Sequence, residues 1–105
     1  MIGFGQNVYI PDAGFKAYLV GEPLINTNGD TEIQVSEASA FNESIDCSGI
    51  NISNLTGIEG FTALAELYCN FNNLTSDYNY FTKMNFSKII FTYSKHYNIS
   101  PMNQI

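Results

Sequence analysis

IDCSGINI at residues 45–52 recurs as LYCNFNNL at residues 67–74, 22 positions further along the chain. The two cysteines, Cys47 and Cys69, occupy the same place in both copies. Together with the preceding Leu64, the second copy reads L-x-x-L-x-C-x-x-N-x-L. Self-similarity at a fixed period of about 20–50 residues is typical of proteins built from stacked structural units. The repeat therefore predicts that the two copies lie side by side.

The second copy has the alternation of a short strand. Leu67 and Cys69 are expected to face inward, whereas Tyr68 and Asn70 face outward. Asn72 then turns the chain, and its amide can bond backbone groups of neighbouring units that would otherwise be buried without partners. We therefore expect one strand from each copy, paired in a parallel sheet with one polar side.

The segment between the copies places apolar residues at every third position over residues 55–64, which suits a 3₁₀ or short helical return. A third copy at the same offset would cover residues 86–96, and it fits only at its first three key positions. The predicted fold class is an α/β repeat: a short right-handed leucine-rich-repeat solenoid with a parallel β-sheet, preceded by a small helix–loop–helix N-terminal cap. In this organisation residues 10–43 form the cap and residues 44–77 form the repeats.

Composition excludes several classes of function. The 105 residues can form one small domain. A formal charge of −6 argues against binding nucleic acid, and no apolar run approaches the about 20 residues of a membrane span. One histidine and two cysteines leave little material for a transition-metal site or a histidine-based triad, so we expect no enzyme.

The cap is predicted to hold two short helices. Asp12 is placed to cap the first, in which Phe15, Tyr18 and Leu19 fall on one face. Ser36 is the predicted N-cap of the second helix.

Between these helices, residues 26–37 fit the twelve-residue EF-hand calcium loop. The predicted ligands are Asn26, Asn28, Asp30, the backbone carbonyl of Glu32, and Glu37. Two positions depart from the template, because Asn26 replaces an acid and Thr31 replaces the glycine of the sharp turn. One interpretation is a weak, structural Ca²⁺ site that pins the two helices. The alternative is a metal-free polar turn, built on Asn28 and Gly29.

The outward-facing strand positions form the candidate binding face. Its members are Ser44, Asp46, Ser48, Glu66, Tyr68 and Asn70. Tyr68 is the best single contact, since a rigid amphipathic ring offers much area at low entropy cost. The face is expected to be smaller than the about 800 Å² per partner of a standard interface, so binding should be weak unless the chain belongs to something longer.

Residues 7–75 resemble the N-terminal cap and first repeats of bacterial extracellular leucine-rich-repeat proteins, both of the Bacteroidetes surface type and of the internalin type. The stretches that carry the resemblance are IPDAGFKAYL at 10–19, INTNGDTEI at 25–33, SEA at 36–38 and LTGIE at 55–59. Asp77 departs from the family pattern, which has leucine at that place. The resemblance implies a secreted or surface-anchored recognition module. We expect its partner to be a protein or glycan on another cell or in the matrix, and the chain to be a monomer or part of a longer chain. It also implies that no residue is catalytic.

The two ends and the cysteines leave alternatives open. Residues 1–9 are interpreted as a leader remnant or a disordered start, and residues 78–105 as a divergent aromatic-rich tail or a degenerate third repeat. Besides recognition, the chain could be a calcium-stabilised structural cap, or a truncated or frame-shifted remnant without independent function. Cys47 and Cys69 are expected as buried free thiols rather than a disulfide, since a bridge between adjacent strands needs strict geometry.

Overall fold

The computed structural model describes residues 5–74, which form a small mixed α/β unit with a two-stranded parallel sheet and two helices. In chain order the elements are α1 (Ala13–Val20), α2 (Val35–Ala40), β1 (Ser44–Asp46), a 3₁₀ turn (Ile58–Gly60) and β2 (Glu66–Tyr68). The predicted third copy at 86–96 and the tail at 78–105 lie outside the described residues, as do residues 1–4.

The two copies of the sequence repeat pair with each other. β1 and β2 run parallel, with Ser44 opposite Glu66 and Ile45 opposite Leu67, so the register equals the 22-residue offset of the sequence. The pairing continues past the strand ends, where the backbone N–H of Gly49 donates to the carbonyl oxygen of Asn70 at 2.9 Å. The predicted parallel pairing is therefore confirmed in the described residues.

Helix α1 begins as its sequence predicts. The Asp12 side chain accepts a hydrogen bond from the backbone N–H of Phe15 at 3.0 Å, and Phe15 and Leu19 are buried. Tyr18 is only partly buried. The helix ends at Gly21, whose N–H donates to the carbonyl oxygen of Ala17. A side-chain cap of this kind contributes about 1 kcal/mol.

Helix α2 begins two residues earlier than its predicted cap implies. Gln34 stands at the N-cap, and its backbone N–H donates to the Glu37 side chain at 2.9 Å. The prediction of Ser36 as the cap was wrong, because Glu37 reaches back three residues to Gln34 and satisfies the free N–H there.

The chain before α1 contacts the residues at the start of α2. Asn7 and Gln34 form an antiparallel bridge, and the Val8 N–H donates to the carbonyl oxygen of Ile33 at 2.8 Å. These contacts fix residues 6–8, which the sequence assigns to a leader remnant or disordered start, against the beginning of α2.

One apolar core joins the helices to the sheet. The segment between β1 and β2 buries Leu55, Ile58, Phe61 and Leu64, the positions that recur at every third residue. The other fully enclosed apolar side chains of the core are Phe15, Leu19, Ile33, Ala38, Ile45, Ile52 and Leu67. Within residues 5–74, no helix has the length and apolar content that crossing a membrane requires.

Candidate binding surface

The six predicted binding residues lie in three cross-strand pairs. Ser44 is opposite Glu66, Asp46 is opposite Tyr68, and the Asn70 N–H donates to Ser48 Oγ at 3.2 Å. Ile45 and Leu67 between them are fully buried, whereas the six polar positions are exposed or partly exposed. Because side chains alternate along a strand, the sheet presents the six residues on the side opposite its core.

Glu66 organises one end of this face. Its Oε1 accepts hydrogen bonds from Ser44 Oγ at 2.8 Å and from the Tyr68 hydroxyl at 3.2 Å. The hydrogen bond to the Glu66 carboxylate raises the pKa of Tyr68, because the negative oxygen stabilises the protonated phenol. The Tyr68 ring is thus held in place by a charged neighbour and keeps its hydroxyl proton.

The other end of the face is shaped by backbone bonds. Asp46 Oδ1 accepts a hydrogen bond from the Ser48 N–H at 3.2 Å, which turns the chain as β1 ends.

The backbone of Asp46 also contacts Tyr18 of α1. Burial raises the pKa of the Tyr18 hydroxyl there. The face therefore carries two carboxylates, Asp46 and Glu66, and no basic side chain.

Asn72 supports the face from beneath. It is 1% exposed, and its Oδ1 accepts the N–H groups of Ile50 at 3.0 Å and Ile52 at 2.9 Å. Its Nδ2 donates to the carbonyl oxygens of Cys47 at 2.8 Å and Cys69 at 3.3 Å. One amide thus satisfies backbone groups of both copies, which is the role that the sequence predicts for it.

Cys47 and Cys69 are buried and not joined to each other, as expected. Burial raises the pKa of Cys69 to about 12. Burial raises the pKa of Cys47 still further, and the neighbouring Cys69 adds to the effect. Since the thiolate is the nucleophile, neither cysteine is suited to catalysis at neutral pH.

Sequence reasoning missed Phe71, which lies just beyond the face. The side chain is 60% exposed and the backbone has φ of 56°, a conformation that favours glycine. The equivalent residue of the first copy is Gly49, with φ of 67°. That glycine was the available signal, since it marks a left-handed position 22 residues before Phe71.

The predicted calcium ligands form a compact hydrogen-bonded loop. Asp30 Oδ2 accepts from Asn28 Nδ2 at 3.3 Å and from Gln34 Nε2 at 3.1 Å. Glu37 Oε2 accepts from the Asn28 N–H at 3.2 Å, and Glu37 Oε1 accepts from the Gln34 N–H. The structure thus brings Asn28, Asp30 and Glu37 together and adds Gln34, which the sequence prediction did not include although it is the ninth position of the template.

The two remaining predicted ligands take different places. The Glu32 side chain pairs with Lys16 Nζ at 2.9 Å, so only its backbone carbonyl is available to the loop. Asn26 is 6% exposed, and its Nδ2 donates to the carbonyl oxygens of Val20 at 3.0 Å and Asp30 at 2.8 Å. Thr31 is not among the described residues with positive φ, so the sharp turn of the EF-hand template is absent at that position.

A shallow cavity of about 330 Å³ lies beside this loop. Leu24, Thr27, Glu37, Phe41 and Glu43 line it, and none of the six residues of the binding face does. Among residues 5–74, no group of three or more His, Cys, Asp and Glu side chains is arranged to hold a metal ion.

Comparison with protein families, with curated proteins and with solved structures found no match to this chain.

Proposed function

We propose that this chain is a non-catalytic recognition module, folded as a short leucine-rich-repeat solenoid, that binds a protein or glycan through the polar face of its sheet. The observation that carries the proposal is the Glu66 carboxylate, which orients Tyr68 and Ser44 across two strands. Rings that are already held in place lose little entropy on binding, which makes Tyr68 the expected centre of the contact.

Three features of the described residues support the solenoid. The strands pair at the repeat offset, Cys47 and Cys69 are both buried, and Asn72 bonds backbone groups of both copies. Stacked units need such a link because each unit alone leaves backbone groups without partners. The same amide in a further unit would repeat the link, as the period of the sequence implies.

The charge of the face favours a particular kind of partner. Asp46 and Glu66 lie on paired strands. A third acid, Glu43, directly precedes β1 and is also exposed. Within residues 5–74, Lys16 is the single basic residue and it pairs with Glu32. A partner with lysine or arginine side chains, or with a neutral glycan rich in hydroxyl groups, complements this face, whereas an acidic glycan does not.

The proposed location is outside the cell, secreted or attached to the cell surface. This part of the proposal depends on the resemblance of residues 7–75 to extracellular bacterial leucine-rich-repeat proteins. Secretion would place the polar face where a protein of another cell, or a glycan of the matrix, can reach it.

The test is a binding screen with matched tyrosine variants. Wild-type chain would be applied to a glycan array and to immobilised laminin, fibronectin and collagen. We expect at least one probe to bind, and Tyr68→Ala to weaken that binding by at least tenfold, within the range of interface hot spots. Tyr9→Ala is the control, because Tyr9 is 74% exposed and lies outside the face.

Two outcomes would contradict the proposal. Folded wild-type chain that binds none of these probes would argue against independent recognition. Equal loss of binding in Tyr68→Ala and Tyr9→Ala would place the contact somewhere other than the sheet face.

A further inference from the structure

We propose that residues 26–37 form a calcium-binding site whose ligands include Asn26 Oδ1 and the carboxylates of Asp30 and Glu37. The site is separate from the sheet face, and the inference does not depend on the proposed recognition function.

Asn26 gives the first observation. Its side chain is 6% exposed, and its Oδ1 is the one buried side-chain polar atom in residues 5–74 without a hydrogen-bond partner. The amide is held by its nitrogen, which donates to the carbonyl oxygens of Val20 and Asp30. Asp30 follows Asn26 by four residues, so the bond to the Asp30 carbonyl oxygen holds the amide inside the turn of the loop. A buried carbonyl oxygen without a partner is unfavourable, and a cation inside the loop would provide that partner.

The second observation is the convergence of two like charges. Asp30 and Glu37 are seven positions apart in sequence, yet both accept hydrogen bonds from Asn28 and from Gln34. The hydrogen bonds that these two carboxylates accept within the loop come from neutral groups. The single basic residue of 5–74, Lys16, is engaged by Glu32 instead. A bound cation would compensate both negative charges at once.

The available donor atoms select calcium among the common metals. Amide, carboxylate and backbone carbonyl oxygens are the ligands that Ca²⁺ accepts, six to eight at a time, in flexible geometry. Zinc is disfavoured, because the two cysteines of the chain are buried under the sheet and histidine is not part of this loop. Magnesium is disfavoured because it requires a strict octahedral arrangement and keeps most of its water.

The affinity should be low. The oxygens of Asp30 and Glu37 now accept hydrogen bonds from Asn28 and Gln34, and a cation must displace some of these donors. The backbone at Thr31 must also change to bring in the carbonyl of Glu32, as the sixth and seventh template positions require. With two charged ligands we expect a dissociation constant of about 1 mM, as in extracellular calcium modules.

Such a site would tie the two helices of the cap together. Asn26 is bonded to Val20, the last residue of α1, and Glu37 belongs to the first turn of α2. A cation that bridges Asn26 and Glu37 would link these ends directly and would exist only in the folded chain. Calcium should therefore raise the temperature of unfolding.

The experiment is thermal unfolding of the full chain in 10 mM CaCl₂, in 10 mM MgCl₂ and in NaCl of matched ionic strength. The divalent cations are then present at about ten times the dissociation constant expected for calcium. We expect calcium to raise Tm by about 5–10 °C over the NaCl sample, and magnesium to give less than a third of that shift. The same Tm in calcium and in NaCl would overturn the proposal, and so would equal shifts by calcium and magnesium.

Three variants separate ligation from simple folding effects. Asn26→Asp adds a charged ligand but loses the two amide donations, so it should unfold at lower temperature than wild type in NaCl and show a larger shift in calcium. Glu37→Gln should lose most of the calcium shift. Glu22→Gln is the matched control, since its side chain lies near Tyr18, and it should keep the wild-type shift.

Each variant can contradict the assignment. A calcium shift in Asn26→Asp no larger than that of wild type would remove Asn26 from the ligand set. Full retention of the shift in Glu37→Gln would do the same for Glu37, and loss of the shift in Glu22→Gln would indicate a non-specific effect of charge. If the Glu37→Gln variant does not fold, calorimetric titration of the wild-type chain with CaCl₂ serves as the test instead. The absence of a saturable heat of binding would then overturn the proposal.

Discussion

Asn72 Oδ1 lies 2.9 Å from the backbone nitrogen of Ile52, which precedes it by 20 residues in the chain. The same side chain also donates to the carbonyl oxygen of Cys47. A single buried amide therefore holds the turn of the first copy against the turn of the second. The stability of the paired sheet, and of the face that it presents, depends on this residue.

Replacement of Asn72 by alanine should be strongly destabilising. It leaves the N–H groups of Ile50 and Ile52 and the carbonyl of Cys47 without their partners. Each unsatisfied buried group costs about 1–3 kcal/mol, so we expect the free energy of unfolding to fall by at least about 3 kcal/mol. Urea denaturation measures this change. Asn42→Ala is the control, because Asn42 is exposed, and a loss for Asn72→Ala no larger than the control's would contradict the role assigned to the amide.

Two glycines should differ in their tolerance of alanine. A Cβ at Gly57 would lie 2.8 Å from Ile10 Cγ1 and from the carbonyl oxygen of Tyr9, at φ of 110°. Gly57→Ala should therefore reduce the free energy of unfolding by about 2–4 kcal/mol. At Gly49 the φ is 67° but no heavy atom lies within 4 Å, so Gly49→Ala should cost only about 1 kcal/mol. Chemical denaturation of both variants tests this order, and a larger loss at Gly49 would reverse it.

Acid should weaken the contact between α1 and the segment after β1. Burial raises the pKa of Asp12, but hydrogen bonds from the backbone N–H groups of Phe15, Ser53 and Asn54 outweigh this and leave the pKa below its usual value of 3.8. A carboxyl whose pKa is lower in the folded chain adds stability above its unfolded pKa, and that stability is lost as pH falls through the folded pKa.

The measurement is the free energy of unfolding of wild type and Asp12→Asn between pH 7 and about pH 2.5. Wild type should lose stability below about pH 4, and the variant should be less stable at pH 7 but have a shallower acid slope. Parallel curves for the two proteins would show that Asp12 does not carry this dependence.

The two thiols should be protected in the folded chain. Since burial raises the pKa of Cys69 to about 12 and that of Cys47 further, little thiolate exists at pH 8. A disulfide-exchange reagent should label neither cysteine in native buffer and both in denaturant. Rapid labelling of the native chain would show that the side chains are not enclosed as described, and no labelling in denaturant would show that they are bridged.

The parts of the fold that could be predicted are those fixed by local patterns. The 22-residue repeat predicted the strand pairing. Asp12, followed three residues later by Phe15, where the apolar face begins, predicted the start of α1. The role of Asn72 followed from its place after the second strand. In each case the sequence itself contains the signal: a fixed period, a capping acid, or an asparagine at a set place after a strand.

The parts that could not be predicted depend on contacts between distant segments. Gln34 rather than Ser36 caps α2: its backbone N–H donates to Glu37, and its side chain also donates to Asn7, 27 residues away. The left-handed backbone at Phe71 matches that of Gly49, 22 residues earlier, against the preference of an aromatic residue. Neither pairing can be read from the neighbouring residues alone.

The loop at residues 26–37 shows both situations. The spacing of Asn28, Asp30 and Glu37 was enough to predict that they meet. The template did not predict that Gln34 would join them, or that the Thr31 backbone would avoid the glycine conformation. A threonine at positive φ is strained, so the loop is closed by side-chain hydrogen bonds instead.

Scalar coupling across hydrogen bonds can show whether the two copies of the repeat pair in parallel register. In a long-range HNCO spectrum of the labelled chain, we predict a correlation from the amide nitrogen of Cys47 to the carbonyl carbon of Tyr68, and one from Gly49 to Asn70. Correlations that join residues 44–49 to residues 66–70 in antiparallel order, or that shift the pairing by one residue, would rule out this parallel register.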